Sequence, residues 1–209
     1  PPPELFKLHL MDVFRVPFRS RVADGAGPAT QSRAFRDAGF VSMHSRIEDP
    51  AEDTAVLVRA SPFGTVSHMH ADHGSFSIIS RGKGLVTPSG YFGRGAGTTH
   101  HRDWTLQTVA HNCVLIDGRG QKSGRFDTVG RIVSLDDSGP CAHARLDLSE
   151  AYPMLRTYTR LIFLLRPSVV VVFDDLVSPD EVSVSWLLHT LSSPEVEADR
   201  LKIQRGTAA

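Results

Sequence analysis

Ser67-His68-Met69-His70-Ala71-Asp72-His73 is the densest polar cluster in the chain, and the neighbouring sequence is organised around it. Six of the ten histidines fall between His68 and His111. Three imidazoles and a carboxylate in so few positions would be costly to bury unless a metal ion or hydrogen bonds satisfied them. His68 and His70 are two apart, so on a strand both rings would face the same way, into one cleft. Such a pair can share a metal, or one ring can bind metal while the other is left for acid–base work. A single histidine on a strand more often just satisfies backbone groups; the density here argues for a site.

Outward from this cluster the pattern is strand and turn. Phe40-Val41-Ser42-Met43, Ala55-Val56-Leu57-Val58-Arg59, Ser75-Phe76-Ser77-Ile78-Ile79, Cys113-Val114-Leu115-Ile116 and Arg131-Ile132-Val133-Ser134-Leu135 are short, rich in β-branched residues and bounded by Gly, Pro, Asp or Ser. Longer strands are predicted at Leu155 to Leu165, Ser168 to Leu176 and Val182 to Leu191, with hairpin turns at Arg166-Pro167-Ser168 and Ser178-Pro179-Asp180. Glu195 to Ala198 and Leu201 to Gln204 flank Asp199-Arg200 as a last hairpin. Many strands with no helices between them predict an all-β, antiparallel sandwich of several sheets. Residues 1–32 differ: an apolar run from Leu5 to Phe14, a basic stretch with Pro17, then a Gly- and Ala-rich linker. They read as a separate segment before a domain over 33–209.

The bulk composition narrows the function classes. With 209 residues there is enough chain for one sizeable core. Basic and acidic side chains both number 23, so no strong field invites nucleic acid or an acidic membrane. A local basic patch for an anionic glycan stays open. No apolar run reaches the roughly 18 residues of a membrane span. The two cysteines, Cys113 and Cys141, read as separate rather than as a disulfide framework. Pro1-Pro2-Pro3-Glu4 carries neither a signal peptide nor an initiator methionine, so the chain reads as part of a longer one or as processed.

Two familiar metal patterns touch the cluster. His68, His70, Asp72 and His73 match the His-x-His-x-Asp-His run of metallo-β-lactamases, although Ser75 to Ser80 reads as a strand where that fold wants a helix. A cupin would also place a His-x-His pair on a sandwich strand, but Gly93 stands where its second motif wants histidine. A third resemblance uses more of the chain. Ser61-Pro62-Phe63-Gly64, the histidine run, Ser89-Gly90-Tyr91-Phe92, His100-His101-x-x-Trp104-Thr105, Gln107-Thr108-x-Ala110-His111-Asn112 and Asp117-Gly118-Arg119-Gly120-Gln121 follow in order. Phe35-x-Asp37-x-Gly39-Phe40 precedes them; Tyr158-x-Arg160, Phe173-Asp174-Asp175 and Trp186-Leu187-Leu188-His189 come after. Together, over about residues 33–191, these resemble the heparinase II/III-like family of polysaccharide lyases, which includes alginate lyases.

The resemblance implies a β-sandwich whose partner is an N-terminal α/α toroid domain, with an anionic polysaccharide in the cleft between them. It implies β-elimination from a uronic acid, in an alginate- or heparin/heparan-like polymer. His68 is then the catalytic imidazole, as base or charge neutraliser, and Tyr91, His101 and Trp104 are substrate-binding. His70 and His111 are ligands of a structural zinc. The family's aspartate ligand would precede Ser89-Gly90-Tyr91, where this chain has Pro88; Asp72 and His73 are the nearby substitutes. The implied setting is the periplasm or cell envelope, with the cytoplasm as alternative. A noncatalytic carbohydrate-binding sandwich, and a metal-dependent hydrolase or dioxygenase built on His68, His70 and His73, are the competing functions.

Overall fold

The computed structural model describes residues 31–89 and 95–204. The expectations for residues 1–30 and for Tyr91 lie outside them.

Strands β1 (Ser32–Phe35), β2 (Phe40–His44), β3 (Thr54–Arg59), β4 (Phe76–Ser80) and β5 (Lys83–Val86) form an antiparallel meander. β6 (Val114–Ile116) follows the histidine region, and β7 (Arg131–Asp136), β8 (Cys141–Asp147), β9 (Thr157–Leu165) and β10 (Val169–Val177) form a second antiparallel sheet, ordered β10-β9-β8-β7. β11 (Val184–Trp186) pairs with β6, and β12 (Glu195–Glu197) with β13 (Arg200–Lys202) closes a terminal hairpin. The all-β sandwich expected from the strand pattern is the fold found.

Alternation builds the core. In β9 the even-numbered residues Tyr158, Arg160, Ile162 and Leu164 are buried while their neighbours are not, as period-two pleating requires. Val41, Met43, Val56 and Val58 from the first sheet meet Ala142, Ala144, Leu146, Ile162 and Leu164 from the second in one apolar cluster. The hairpin turn at Arg166-Pro167-Ser168 falls where expected, and the last turn lies one residue earlier than expected, at Ala198-Asp199. Three details differ from the sequence reading. β1, β5 and β8 carry too few β-branched residues to announce themselves. The strand expected over Val182 to Leu191 shrinks to β11, and because β11 pairs with β6 rather than β10, Ser178-Pro179-Asp180 is not a hairpin turn. The two cysteines are free, as expected.

What places the site is a long loop, residues 60–75, between β3 and β4. Polar contacts replace ladder pairing along it. The Thr65 N–H donates to the Arg125 carbonyl at 2.7 Å and its hydroxyl to the Lys122 carbonyl at 2.7 Å. His73 is wholly buried. Its Nδ1 accepts the Ser61 N–H at 3.1 Å, and its Nε2 donates to the Thr128 carbonyl at 2.9 Å. The side-chain amide of Gln121 brackets the His73 backbone, accepting from its N–H at 3.0 Å and donating to its carbonyl at 2.7 Å. The next residue, Gly74, has φ +87°, and a Cβ there would lie 2.5 Å from Leu148 Cδ1, so only glycine fits. The Gly74 carbonyl is gripped by Arg160 Nη1 at 2.7 Å.

Two outcomes test this anchoring. Arg160→Ala leaves Asp174 without its ionic partner, and should cost about 3–5 kcal/mol in urea unfolding; a variant within about 0.5 kcal/mol of wild type would remove Arg160 from its central place. Burial, aided by the nearby Arg59 cation, pushes the His73 imidazole down from 6.5 to about 4. The unfolded chain therefore takes up a proton that the folded ring refuses. Stability from this group is full above about 6.5 and falls as pH drops toward about 4, by up to about 1.4 kcal/mol per pH unit. His73→Gln should flatten the pH dependence of unfolding free energy in that window; an unchanged slope would contradict the assignment.

Candidate functional site

Beyond β3 the chain leaves the first sheet and folds back over its outer face. There Phe35, Phe40, Leu57, Arg59, His68 and His70 line an open groove of about 420 Å³. Its walls are mostly apolar, and its polar groups gather where the 60–75 loop crosses.

His68 is exposed and lines this groove. It reaches the groove by a different route from the one expected. Residues 67–70 form a turn and an irregular stretch rather than a strand, and Ser67 has φ +59°. The His68 and His70 rings thus share a groove through the turn and not through strand pleating. Between them in the groove lies Met69, whose sulfur is 3.5 Å from Arg59 Nη2.

Beneath the rim the environment dries out. His70 Nδ1 and His111 Nε2 are 3.3 Å apart, and His111 Nε2 also lies 3.1 Å from the Thr105 carbonyl. Asp72 completes a set of three whose ligand atoms all lie within 4.8 Å of one another. Burial lowers the His70 imidazole, with the charge of His111 adding to it, and burial pushes His111 down to about 4. Both rings are therefore neutral near pH 7, the form in which imidazole binds metal. Burial pushes the Asp72 carboxyl upward, against the pull of Arg59, its ion-pair partner. A carboxylate held in so dry a place gains from an added cation.

The donor set fits zinc. Bonds of ~2.0–2.1 Å from a tetrahedral ion hold two nitrogens roughly 3.3–3.4 Å apart. The His70–His111 separation of 3.3 Å matches that edge, and lies beyond the usual hydrogen-bond range of ~2.7–3.2 Å. Ligation through Nε2 would take that nitrogen from the Thr105 carbonyl and leave His111 Nδ1 buried without a hydrogen-bond partner. Asp72 supplies the carboxylate of this set, and Pro88 has no side-chain ligand to offer. His73 stands outside it: both its nitrogens are used in backbone contacts, which removes it from any ligand set and from the hydrolase reading based on His68, His70 and His73.

The remaining sequence candidates lie to one side. His101 and Trp104 share a single π-helical turn, His101–Thr105, and neither lines the groove. His101 is near enough to His70 to bear on its charge. The Trp104 N–H donates to Ser89 Oγ at 3.1 Å and its ring meets His189 edge-on, so its indole donor is already engaged. Arg59 was missed by the sequence reading as a site residue. Its place at the outward-facing end of β3, just before the loop, is the signal that could have found it. The paired acids behave as strand geometry requires: Asp174 turns inward to Arg160, and Asp175 does not share that contact.

The comparisons come to the same fold from the outside. The profile described as "Heparinase II/III-like, C-terminal" matches residues 27–208. Among solved structures, the heparinase III-BT4657 gene product superposes with a TM-score of 0.66 at 23% identity, over 83% of this chain and 26% of that one. Heparan sulfate lyase HepC from Pedobacter heparinus gives 0.66 at 21% identity, over 83% and 26%, and a further heparinase III gives 0.63 at 20%, over 84% and 27%. The chain thus spans about a quarter of the length of these structures, and at such identities the likeness is one of fold. No curated protein matches the sequence. The profile match runs across almost the whole sandwich, histidine loop included, and this chain therefore belongs to the heparinase II/III-like family as its C-terminal domain.

Proposed function

We propose that this domain forms one wall of the active-site cleft of a polysaccharide lyase, with an N-terminal α/α toroid domain forming the other. The observation that carries this reading is the exposed His68 ring on an open groove, beside histidines that burial keeps neutral. The substrate is a uronic-acid polymer, alginate- or heparin/heparan-like, and the reaction is β-elimination. Removing the proton at C5 is hard because that carbon is weakly acidic. His68 serves as the base, or as the donor that neutralises the neighbouring carboxylate as charge develops on it.

His70, Asp72 and His111 would hold a zinc ion, and the ion would supply structural order to the loop beneath His68 rather than a reactive centre. Arg59 keeps Asp72 oriented and places a cation at the groove floor. His101 and Trp104, on the π-helical turn, are assigned to sugar binding, and Tyr91 joins them on the sequence resemblance, an indole or phenol ring offering a flat apolar face to a pyranose. The periplasm or cell envelope is the proposed location; no described helix is long and apolar enough to cross a membrane.

The test uses the full-length protein. His68→Ala should cut formation of unsaturated uronate, read by its ultraviolet absorbance, by roughly 10²–10⁴-fold while polymer binding is kept. Turnover at the wild-type rate would refute the reading, and absence of product from wild type on alginate, heparin and heparan sulfate alike would favour a noncatalytic carbohydrate-binding domain. Metal analysis should find about one zinc per chain. Asp72→Asn should lower that occupancy and the melting temperature together; a protein that melts identically before and after chelation would exclude a structural ion.

A further inference from the structure

The outer face of the first sheet carries a second set of reactive side chains, distinct from the histidine cluster. Ser42 and His44 are two apart on β2, so the pleat sends both to the same face. Ser42 Oγ lies 2.8 Å from His44 Nε2, and His44 Nδ1 lies 2.6 Å from Asp53 Oδ2. Asp53 sits at the start of β3, where its second oxygen accepts the N–H groups of Ser45 at 3.0 Å and Arg46 at 2.8 Å and the Ser45 hydroxyl at 3.2 Å. Burial pushes its carboxyl up, but the bonds from Arg46 and His44 prevail and hold it below the usual range. An ionised carboxylate only accepts, so the proton of His44 belongs on Nδ1. Nε2 is then a lone pair aimed at the Ser42 hydroxyl. Nucleophile, base and orienting acid stand in the order and on the atoms that acyl transfer needs.

A relay that only braced the β2–β3 connection would have no need of an open side. Ser42 has one, for it lines the same groove as Phe35, Phe40 and Leu57. These three are 48%, 46% and 39% exposed, an unusual amount of apolar surface for residues flanking a serine. Across the β1–β2 ladder Arg33 is the direct partner of Ser42 and shares its face, with its guanidinium over the Phe35 ring, 5.5 Å from the centroid.

We propose that Ser42, His44 and Asp53 form a nucleophilic relay that hydrolyses carboxylic esters with short apolar acyl groups. Ser42 Oγ bonds to the ester carbonyl carbon as its proton passes to His44 Nε2. The tetrahedral adduct then expels the alcohol, whose oxygen takes that proton as the carbon–oxygen bond breaks. Water attacks the acyl-serine, again giving a proton to His44, and the acid leaves as Ser42 Oγ recovers it. Asp53 is a positioning residue, holding the ring and its tautomer. Nothing in this sequence of steps uses His68 or a metal, so it stands apart from the lyase reading.

A fluorophosphonate probe and p-nitrophenyl butyrate, applied to the full chain, test the proposal. Peptide mapping should find the probe on Ser42, and S42A, which removes only a hydroxyl and should melt as wild type does, should abolish both labelling and ester turnover. H44Q should slow labelling by about 100-fold or more. D53N should lower the maximal labelling rate without changing the probe concentration that half-saturates it, a split that mere loosening of the loop would not produce. Wild-type protein unlabelled at Ser42, or S42A turning over the ester at the wild-type rate, would overturn the assignment.

Discussion

The guanidinium of Arg160 is the contact on which the described structure depends. It projects from β9 into the core with no exposed surface, and a charge so placed must be matched on every side. Its Nε and Nη2 bind both oxygens of Asp174 at 2.7 and 2.8 Å, a bidentate pairing across the β9–β10 ladder. Its Nη1 donates to the carbonyls of Gly74 at 2.7 Å and Asn112 at 2.9 Å. Those two residues end the two histidine-bearing segments, one closing the 60–75 loop and the other following His111. One side chain thus ties the second sheet to both halves of the site. Asp174 is saturated in turn by the Tyr158 hydroxyl at 3.2 Å and the Trp186 N–H at 3.1 Å. Phe76 and Tyr158 cover the guanidinium, with ring centroids 5.8 and 5.9 Å away.

Around that anchor, burial divides work among histidines that the sequence presents as equals. His73 is consumed by structure, its two nitrogens spent on the backbone of Ser61 and Thr128. His70 and His111 are dry enough to stay neutral, face one another and lie within 4.8 Å of an Asp72 carboxylate oxygen. His68 alone of the run from 68 to 73 is left in water on the groove. Desolvation sets this division, because it penalises the imidazolium of His70, His73 and His111 wherever water is excluded. Asp72 follows the same logic: burial raises its carboxyl against the pull of Arg59, so an added cation would favour its ionised form.

Strand pattern made much of the architecture legible. Val56, Val58, Ile162 and Leu164 alternate with less buried neighbours, and short β-branched runs between turn residues have few folds open to them other than stacked antiparallel sheets. The ordered motifs also pointed to the family, and the structure explains why several are there. Asn112, Gln121 and Arg160 satisfy buried backbone groups around the histidine loop, and none of the three lines the groove. They were legible as a pattern but not as a purpose, since hydrogen-bond partners 36 to 86 residues away leave no trace in local periodicity.

By itself, the amino-acid order determined the all-β class, the β9–β10 hairpin turn and the clustering of histidines, because pleating and turn chemistry act over a few neighbouring residues. The tertiary structure alone decided which histidine meets water, that Asp72 rather than His73 joins His70 and His111, and that an open apolar groove borders the Ser42–His44 face of β2. Those outcomes depend on solvent exclusion and on side chains brought together from distant strands, and neither is encoded within any single stretch of the chain.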